Sequence, residues 1–482
     1  MSQGFKKWAM FVVRWGIAVA GIWYVVVNIS WRDQVLVLGA GNLPVKVRLA
    51  EPWDESSPTV KILDPVPGRE GNVVPVGELV NEADRTEVKL RVGDGVQARP
   101  LLAVDLNDDL RDPRALRLLV EDPQTKKGEW FDPSQVDGGY EVRVPYPLVQ
   151  AGLRHMLHNA DPVFLWASVL IFPVTFLITG FRWHLLLTAL DIHLGAARAF
   201  VINMVGAFYN TFMPGSTGGD VLKAYYAAKH THLRTRAVMS VIVDRAIGLV
   251  ALIILGGVMA SLQWEEPACR RVAIASAIVI GAMVVGLLVF YTPALRRALG
   301  VDFVLRRLPM QRQVTKALDA MEVYRRRPWL VLGALVGTFP VHITVILSAM
   351  FAGIAFGLTD LKTYQPLHPL YYWVAVPVIV LAGALPISPQ GAGVMEFFAI
   401  LLTRSHGVTV AQAFALTMSI RLVQILWNLV GGIFVLRGGF HAPTEKEQAE
   451  QEAEEDQSTK SEARSTKQVP STKEENEAQG VV

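Results

Sequence analysis

Charge is what this sequence has least of. Only 18% of its 482 residues are Asp, Glu, Lys or Arg, against roughly 25% in a soluble domain. The formal net charge of +3 makes no case for nucleic acid as a partner. Cysteine is nearly absent: Cys269 stands alone, which excludes an internal disulfide framework and a cysteine metal cluster. Soluble catalytic signatures are missing as well. The chain has no phosphate-binding P-loop, no dinucleotide fingerprint, no HExxH and no GxSxG-type elbow. His184, His193, His230, His232, His342 and His406 are scattered without ligand spacing, so neither a cofactor nor a metal is expected. His155 and His158 are close in sequence but lack a third ligand, and read as ordinary surface residues.

What is abundant is apolar sequence. Hydrophobic residues make up 51% of the chain and mean hydropathy is +0.33. Apolar runs of about 20 residues recur, the length that crosses roughly 30 Å of hydrocarbon. The first, Trp8 to Asn28, follows Lys6 and Lys7. Bulky Ile22, Trp23 and Tyr24 stand where a signal peptide would place small residues, so residues 1–29 read as an uncleaved anchor. Further spanning runs lie near Val163–Phe181, Ala237–Leu262, Val272–Tyr291, Leu330–Leu358, Leu370–Leu385 and Ala411–Leu436.

Between the anchor and these runs, residues 30–159 change character. Short valine-rich or alternating runs (Val35–Leu38, Val45–Leu49, Val60–Leu63, Glu87–Val92, Leu116–Val120, Tyr140–Val144) are punctuated by Gly, Pro, Asn and Asp. That pattern predicts a small all-β domain. From residue 440 the chain is rich in Glu, Gln, Ser, Thr and Lys and reads as a disordered acidic tail.

Positive charge in short loops marks the cytoplasmic side. The loop from Thr292 to Trp329 carries Arg296, Arg297, Arg306, Arg307, Arg312, Lys316, Arg325, Arg326 and Arg327, and Lys223–Arg236 is also basic. Both termini are then expected in the cytoplasm of an inner or plasma membrane, with the β domain outside. The scheme closes only if Ala199–Met213 dips into the bilayer and returns.

Two broken segments share a pattern. One reads Pro214, Ser216, Gly218, Gly219, Asp220; the other reads Pro386, Ser388, Gly391, Gly393, Glu396. Matching Gly/Pro interruptions in two halves point to a transporter site. A helix starting after the glycines would aim N–H groups at an anion. Arg182, Asp244-Arg245 and Arg421 add ionisable groups inside apolar runs, where they normally face a cavity or one another. Arginine suits phosphate because its planar fork binds two oxygens.

The motifs Phe181-Arg182-Trp183, Asn210 through Asp220 with Lys223, Asp244-Arg245, and Pro386 through Glu396 occur in this order. The stretch from about Asp161 to Gly439 resembles the lysylphosphatidylglycerol synthase transmembrane (flippase-like) family. The resemblance implies a membrane domain, residues 160–439, that moves aminoacylated or other anionic lipids between leaflets. Some relatives are linked to glycolipid assembly instead. It also implies no synthase activity here, since a short acidic tail stands where bifunctional members carry an acetyltransferase-like domain. Lys223 stands where arginine is common, Asp244 where glutamate is common and Gln390 where glycine is common.

The fold expected is therefore a polytopic α-helical membrane protein with two re-entrant hairpins and an extracytoplasmic all-β insert. Arg182, Lys223, Arg245 and Arg421 are candidates for a lipid phosphate. Asp220, Asp244 and Glu396 would orient those bases or meet an amine headgroup; Asn210 and Ser388 belong to the same segments, and Gly218, Gly219, Gly391 and Gly393 shape them. The partners expected are a phospholipid or lipid-linked precursor and, through the β domain, a component of the envelope. Two rival readings are a membrane transferase using a polyprenyl-phosphate donor, with Asp220 or Glu396 as general base, and a non-transporting scaffold. The lack of an Asp-rich divalent-metal motif favours transport.

In a background free of Cys269, cysteines introduced within 30–159 should react with an impermeant reagent from outside, and those within 293–328 only from inside. The opposite pattern overturns the topology.

Overall fold

A computed structural model of the chain describes residues 30–437 apart from 54–56, 84–85, 93–94, 107–114, 141–147, 213–217, 232, 300–321, 361–364, 385–390 and 404–407. The N-terminal anchor, the acidic tail, most of the basic loop and Ser388 lie outside the described residues.

Residues 34–150 form the β-rich region. Its strands are β1 (Gln34–Leu38), β2 (Pro44–Arg48), β3 (Thr59–Lys61), β4 (Val73–Pro75), β5 (Leu79–Glu82), β6 (Glu87–Val92), β7 (Gly95–Leu106), β8 (Ala115–Glu121), β9 (Gly128–Phe131) and β10 (Val149–Gln150). The main antiparallel sheet runs β10-β1-β5-β7-β8-β9, with β2 on β1 and β6 on β7. Period-2 alternation explains β6: Val88 and Leu90 are buried while Glu87, Lys89 and Arg91 face out. Several strands lie beyond the expected runs. The twelve-residue β7 begins with an exposed stretch opened by Gly95, outside the runs that mark the other strands. The two-residue β10 exists only through its pairing with β1 at Val35 and Val149.

Buried Asp33 knots this region to the helices. Its carboxylate accepts from Trp53 N at 3.0 Å and Gly152 N at 2.8 Å, and meets His155 Nδ1 at 3.0 Å. Leu153 N donates to Ser30 O at 2.8 Å, so the chain leaves and re-enters at neighbouring points.

The helical part comprises α1 (Leu153–His158), α2 (Pro162–Ile171), α3 (Pro173–Ala189), α4 (Ala196–Phe212), α5 (Gly218–Lys229), α6 (Arg234–Ser261), α7 (Pro267–Tyr291), α8 (Pro293–Ala298), α9 (Pro328–Val336), α10 (Phe339–Ala355), α11 (Pro369–Ala384), α12 (Val394–Thr403) and α13 (Val410–Leu436). Among the described residues, five stretches are long and apolar enough to cross a membrane: Pro162–Ala189, Arg234–Ser261, Pro267–Val289, Pro328–Ala355 and Val410–Leu436. Two of them are broken by proline, which lacks an N–H. At Pro173 the orphaned Val169 carbonyl is taken by the Trp427 indole N–H at 2.8 Å. The other break precedes Pro340, between α9 and α10. Ser168 and Ser348 hydrogen-bond α2 to α10 at 3.1 Å, the polar contact between apolar helices that bilayer packing favours.

The run at Leu370–Leu385 requires correction. It forms a helix of 16 residues, about 24 Å long, short of a span. It packs against α12 of 10 residues. The chain thus has two pairs of short helices, α4 with α5 and α11 with α12. The second pair uses an element the sequence presents as a full crossing.

Asp33→Ala should destabilise the folded protein by about 3 kcal/mol, because two buried N–H groups lose their acceptor. Asp33→Asn should recover part of the loss in thermal unfolding. A change below about 0.5 kcal/mol for Asp33→Ala would show that the knot carries no stability.

Candidate functional site

The two short-helix pairs are built on close backbone approach. In the first, a methyl on Gly219 would strike the Gly206 carbonyl and the Asn210 side chain. Glycine at both positions lets α4 and α5 touch and run antiparallel. Asn210 Oδ1 then accepts from Gly219 N at 2.7 Å, satisfying one of the free donors of the first turn of α5. Asp220 lies in that same turn, where the helix dipole favours a carboxylate. In the second pair, Gly391 and Gly393 take φ of +70° and +81°, a region open to glycine at little cost. Gly393 N donates to Glu396 Oε2 at 2.7 Å across the first turn of α12.

Behind the first pair lies a buried ionic cluster. Arg182 on α3, Lys223 on α5 and Asp244 on α6 are 7%, 5% and 6% exposed. Asp244 accepts from Arg182 Nε at 2.8 Å with one oxygen and from Lys223 Nζ at 3.0 Å with the other. The cations have further partners. Arg182 Nη1 donates to Thr338 Oγ1 at 3.0 Å. Lys223 Nζ donates to Asn203 Oδ1 at 3.0 Å and sits 4.4 Å from the Trp183 ring centroid, a cation–π contact. Trp183 Nε1 donates to Ser240 Oγ at 3.1 Å. Four apolar helices are thereby fixed to one carboxylate.

Arg245, one residue beyond Asp244, joins the two pairs. Its Nη1 donates to Asp220 at the start of α5. Its Nη2 donates to the Ala384 carbonyl, the last residue of α11, at 2.8 Å. Arg182, Lys223, Arg245, Asp220, Asp244 and Asn210 line a common cavity of about 400 Å³. Apolar side chains including Phe172, Phe176, Leu252 and Met395 complete its wall. Within this wall three cations face two carboxylates, leaving one positive charge in excess.

Glu396 and Arg421 occupy a separate position. They pair at 2.8 Å, with side chains 2% and 12% exposed. Their neighbours Met395 and Ile420 line the cavity, whereas they themselves do not. The sequence groups Arg421 with the other cations because depth in an apolar run says nothing about which way a side chain points. Gly218, Gly391 and Gly393 act through the backbone. Sequence reading also missed Asn203, Thr338, His342 and Asn428. Each is a polar residue inside an apolar run, a signal shared with many residues that merely bond their own helix, as Thr188 does to His184 O at 2.9 Å.

Five membrane-length helices, two pairs of short ones and a polar cavity where the pairs meet define a helical membrane protein that crosses the bilayer several times. The chain belongs to the family described as the lysylphosphatidylglycerol synthase TM region, whose model matches residues 148–432, more than half its length. It is also similar to a UPF0104 membrane protein of Methanothermobacter thermautotrophicus. The two are 28% identical over 299 residues, covering 56% of this chain and 84% of that protein.

Asp244→Ala leaves two buried cations without a counter-ion and should lower stability by about 3–5 kcal/mol. The double variant Asp244→Asn/Lys223→Met should be markedly closer to wild type in detergent melting curves. Equal losses in the two would show that packing, not charge, governs the cluster.

Proposed function

We propose that this protein moves an anionic or aminoacylated phospholipid, or a lipid-linked precursor, between membrane leaflets. The observation that carries the reading is the cavity at the junction of the two short-helix pairs, with its single excess positive charge. A volume of about 400 Å³ suits a headgroup and not a whole lipid, so the acyl chains would stay in the bilayer while the headgroup crosses through protein. A phosphate diester supplies the missing negative charge. Arg182, Lys223 and Arg245 are the bases that would meet it, and Asp220 and Asp244 hold those bases in place.

In this reading each short pair enters and leaves the bilayer on the same side, as a re-entrant hairpin. Helices of 17 and 12 residues in the first pair and 16 and 10 in the second are all shorter than the roughly 20 residues of a span. Their exposed ends avoid lipid by facing one another across the cavity. The rival transferase reading needs a free general base. Asp220 is held by Arg245 and Glu396 lies outside the cavity lining, which favours transport.

The test is leaflet exchange of a fluorescent phosphatidylglycerol in proteoliposomes. Wild type should accelerate it, Arg245→Ala should abolish it, and Arg245→Lys should retain a fraction, because charge survives but two-pronged geometry does not. No acceleration over empty liposomes, or glycosyl transfer from a polyprenyl-phosphate sugar by the purified protein, would overturn the reading.

A further inference from the structure

The Glu396–Arg421 pair does no work in the cavity described above, yet it places two ionisable groups in apolar surroundings. On α12 Glu396 is the only charged residue, and on α13 only Arg421 is charged. The titratable residues of α11 are Tyr371 and Tyr372, both in its first turn, far from its Ala384 end. The pair is incompletely satisfied. Glu396 Oε1 lies 2.8 Å from Arg421 Nη2, but without the alignment of a hydrogen bond. Among the described residues neither that oxygen nor Arg421 Nε, both buried, has a hydrogen-bond partner. Glu396 keeps the Gly393 N–H on its other oxygen at 2.7 Å, but the two desolvated charges meet through one misaligned contact and gain little from each other relative to the cost of their burial.

Met395 lies against both this pair and the cavity. Met395 lines the cavity, and its Sδ lies 3.8 Å from Arg421 Nη2. It rests on two glycines: a methyl on Gly383 would come within 2.8 Å of Sδ, and one on Gly391 within 3.0 Å of Met395 Cγ. Methionine is the most adaptable of the large apolar side chains. It stands where α11 ends and α12 begins.

We infer that Glu396 is a proton-binding site that couples a proton to the anion in the cavity, with Arg421 as the group exchanged between them. The inference rests on the lipid-transport reading. When Met395 moves aside, Arg421 turns from Glu396 to the lipid phosphate. The Glu396 carboxylate, left without its counter-ion in an apolar site, takes up one proton and becomes a neutral acid. One negative charge enters with the lipid and one positive charge with the proton, so the buried charge is unchanged. On release Arg421 returns, and the carboxyl oxygen gives its proton back to water. Beyond Met395, the groups facing this exchange are His342, whose Nε2 meets the Gly248 carbonyl at 2.9 Å, and Arg182, Lys223, Arg245, Asp220 and Asp244, which keep their mutual pairs throughout.

The test uses full-length protein in liposomes containing fluorescent phosphatidylglycerol, with and without an imposed pH difference. One proton per lipid predicts that a difference of one pH unit sustains up to about a tenfold leaflet asymmetry. Glu396→Gln, which mimics the protonated state, should still exchange the probe but show no asymmetry. Should that variant fail to fold, wild-type protein alone decides: its infrared carboxyl band must appear on acidification, and the absence of that band overturns the inference. Wild type that exchanges the probe without a pH response, or a Glu396 variant that keeps the asymmetry, overturns the inference. Infrared difference spectra of the purified protein add a readout independent of transport. A protonated-carboxyl band should appear on acidification in the presence of phosphatidylglycerol and be missing from Glu396→Gln. Absence of exchange in wild type would sink the lipid reading, and the presence or absence of this band would then decide the proton site by itself.

Discussion

One carboxylate in a dry environment organises the membrane domain. Asp244 pairs with Arg182 and Lys223 through its two oxygens, and those residues sit on three different helices. In water such pairs contribute little. Inside an apolar bundle, separating any member leaves an ion that neither lipid nor protein can solvate. The helices have no hydrophobic drive to associate within a bilayer, so this directed polar contact fixes their arrangement more firmly than apolar packing does. The further bonds to Thr338, Asn203 and the Trp183 ring extend the constraint to α4 and to the residue that opens α10.

The cavity follows from that constraint. With Asp244 fixed on α6, its neighbour Arg245 is carried to the point where α5 begins and α11 ends. Glycines at 206 and 219, and at 383 and 391, let the helices within each short pair approach closely there. The space left between them inherits the unequal number of cations and carboxylates. Structure and electrostatics together make a small polar chamber within an apolar wall, which is the setting a charged headgroup needs and a bilayer does not supply.

Much of this is legible in the residues. Membrane-length helices announce themselves by apolar length, and the valine-rich alternation of residues 34–150 announces strands. The residues around Gly218–Asp220 and Gly391–Glu396 stand out because glycine, proline and carboxylate together contradict their apolar flanks. Other features depend on contacts far apart in sequence. Nothing local shows that Pro369–Ala384 is the partner of α12. Its 16 residues are apolar throughout, and only the close contact at Gly383 and Gly391 reveals the pairing. Likewise Arg245 and Arg421 look alike in sequence, each an arginine well inside an apolar helix. The fold turns one into the cavity and the other behind Met395.

The central claim is that the cavity holds the headgroup of an anionic lipid, and native mass spectrometry of the purified protein tests it most directly. Released from mild detergent, wild type should retain a phosphate-bearing lipid in about one-to-one ratio. The variant Lys223→Met should hold less of it, because it removes one base from the chamber while leaving Arg182 paired with Asp244. Wild type that carries no lipid under these conditions, or a variant that retains the same lipid to the same extent, would contradict the account.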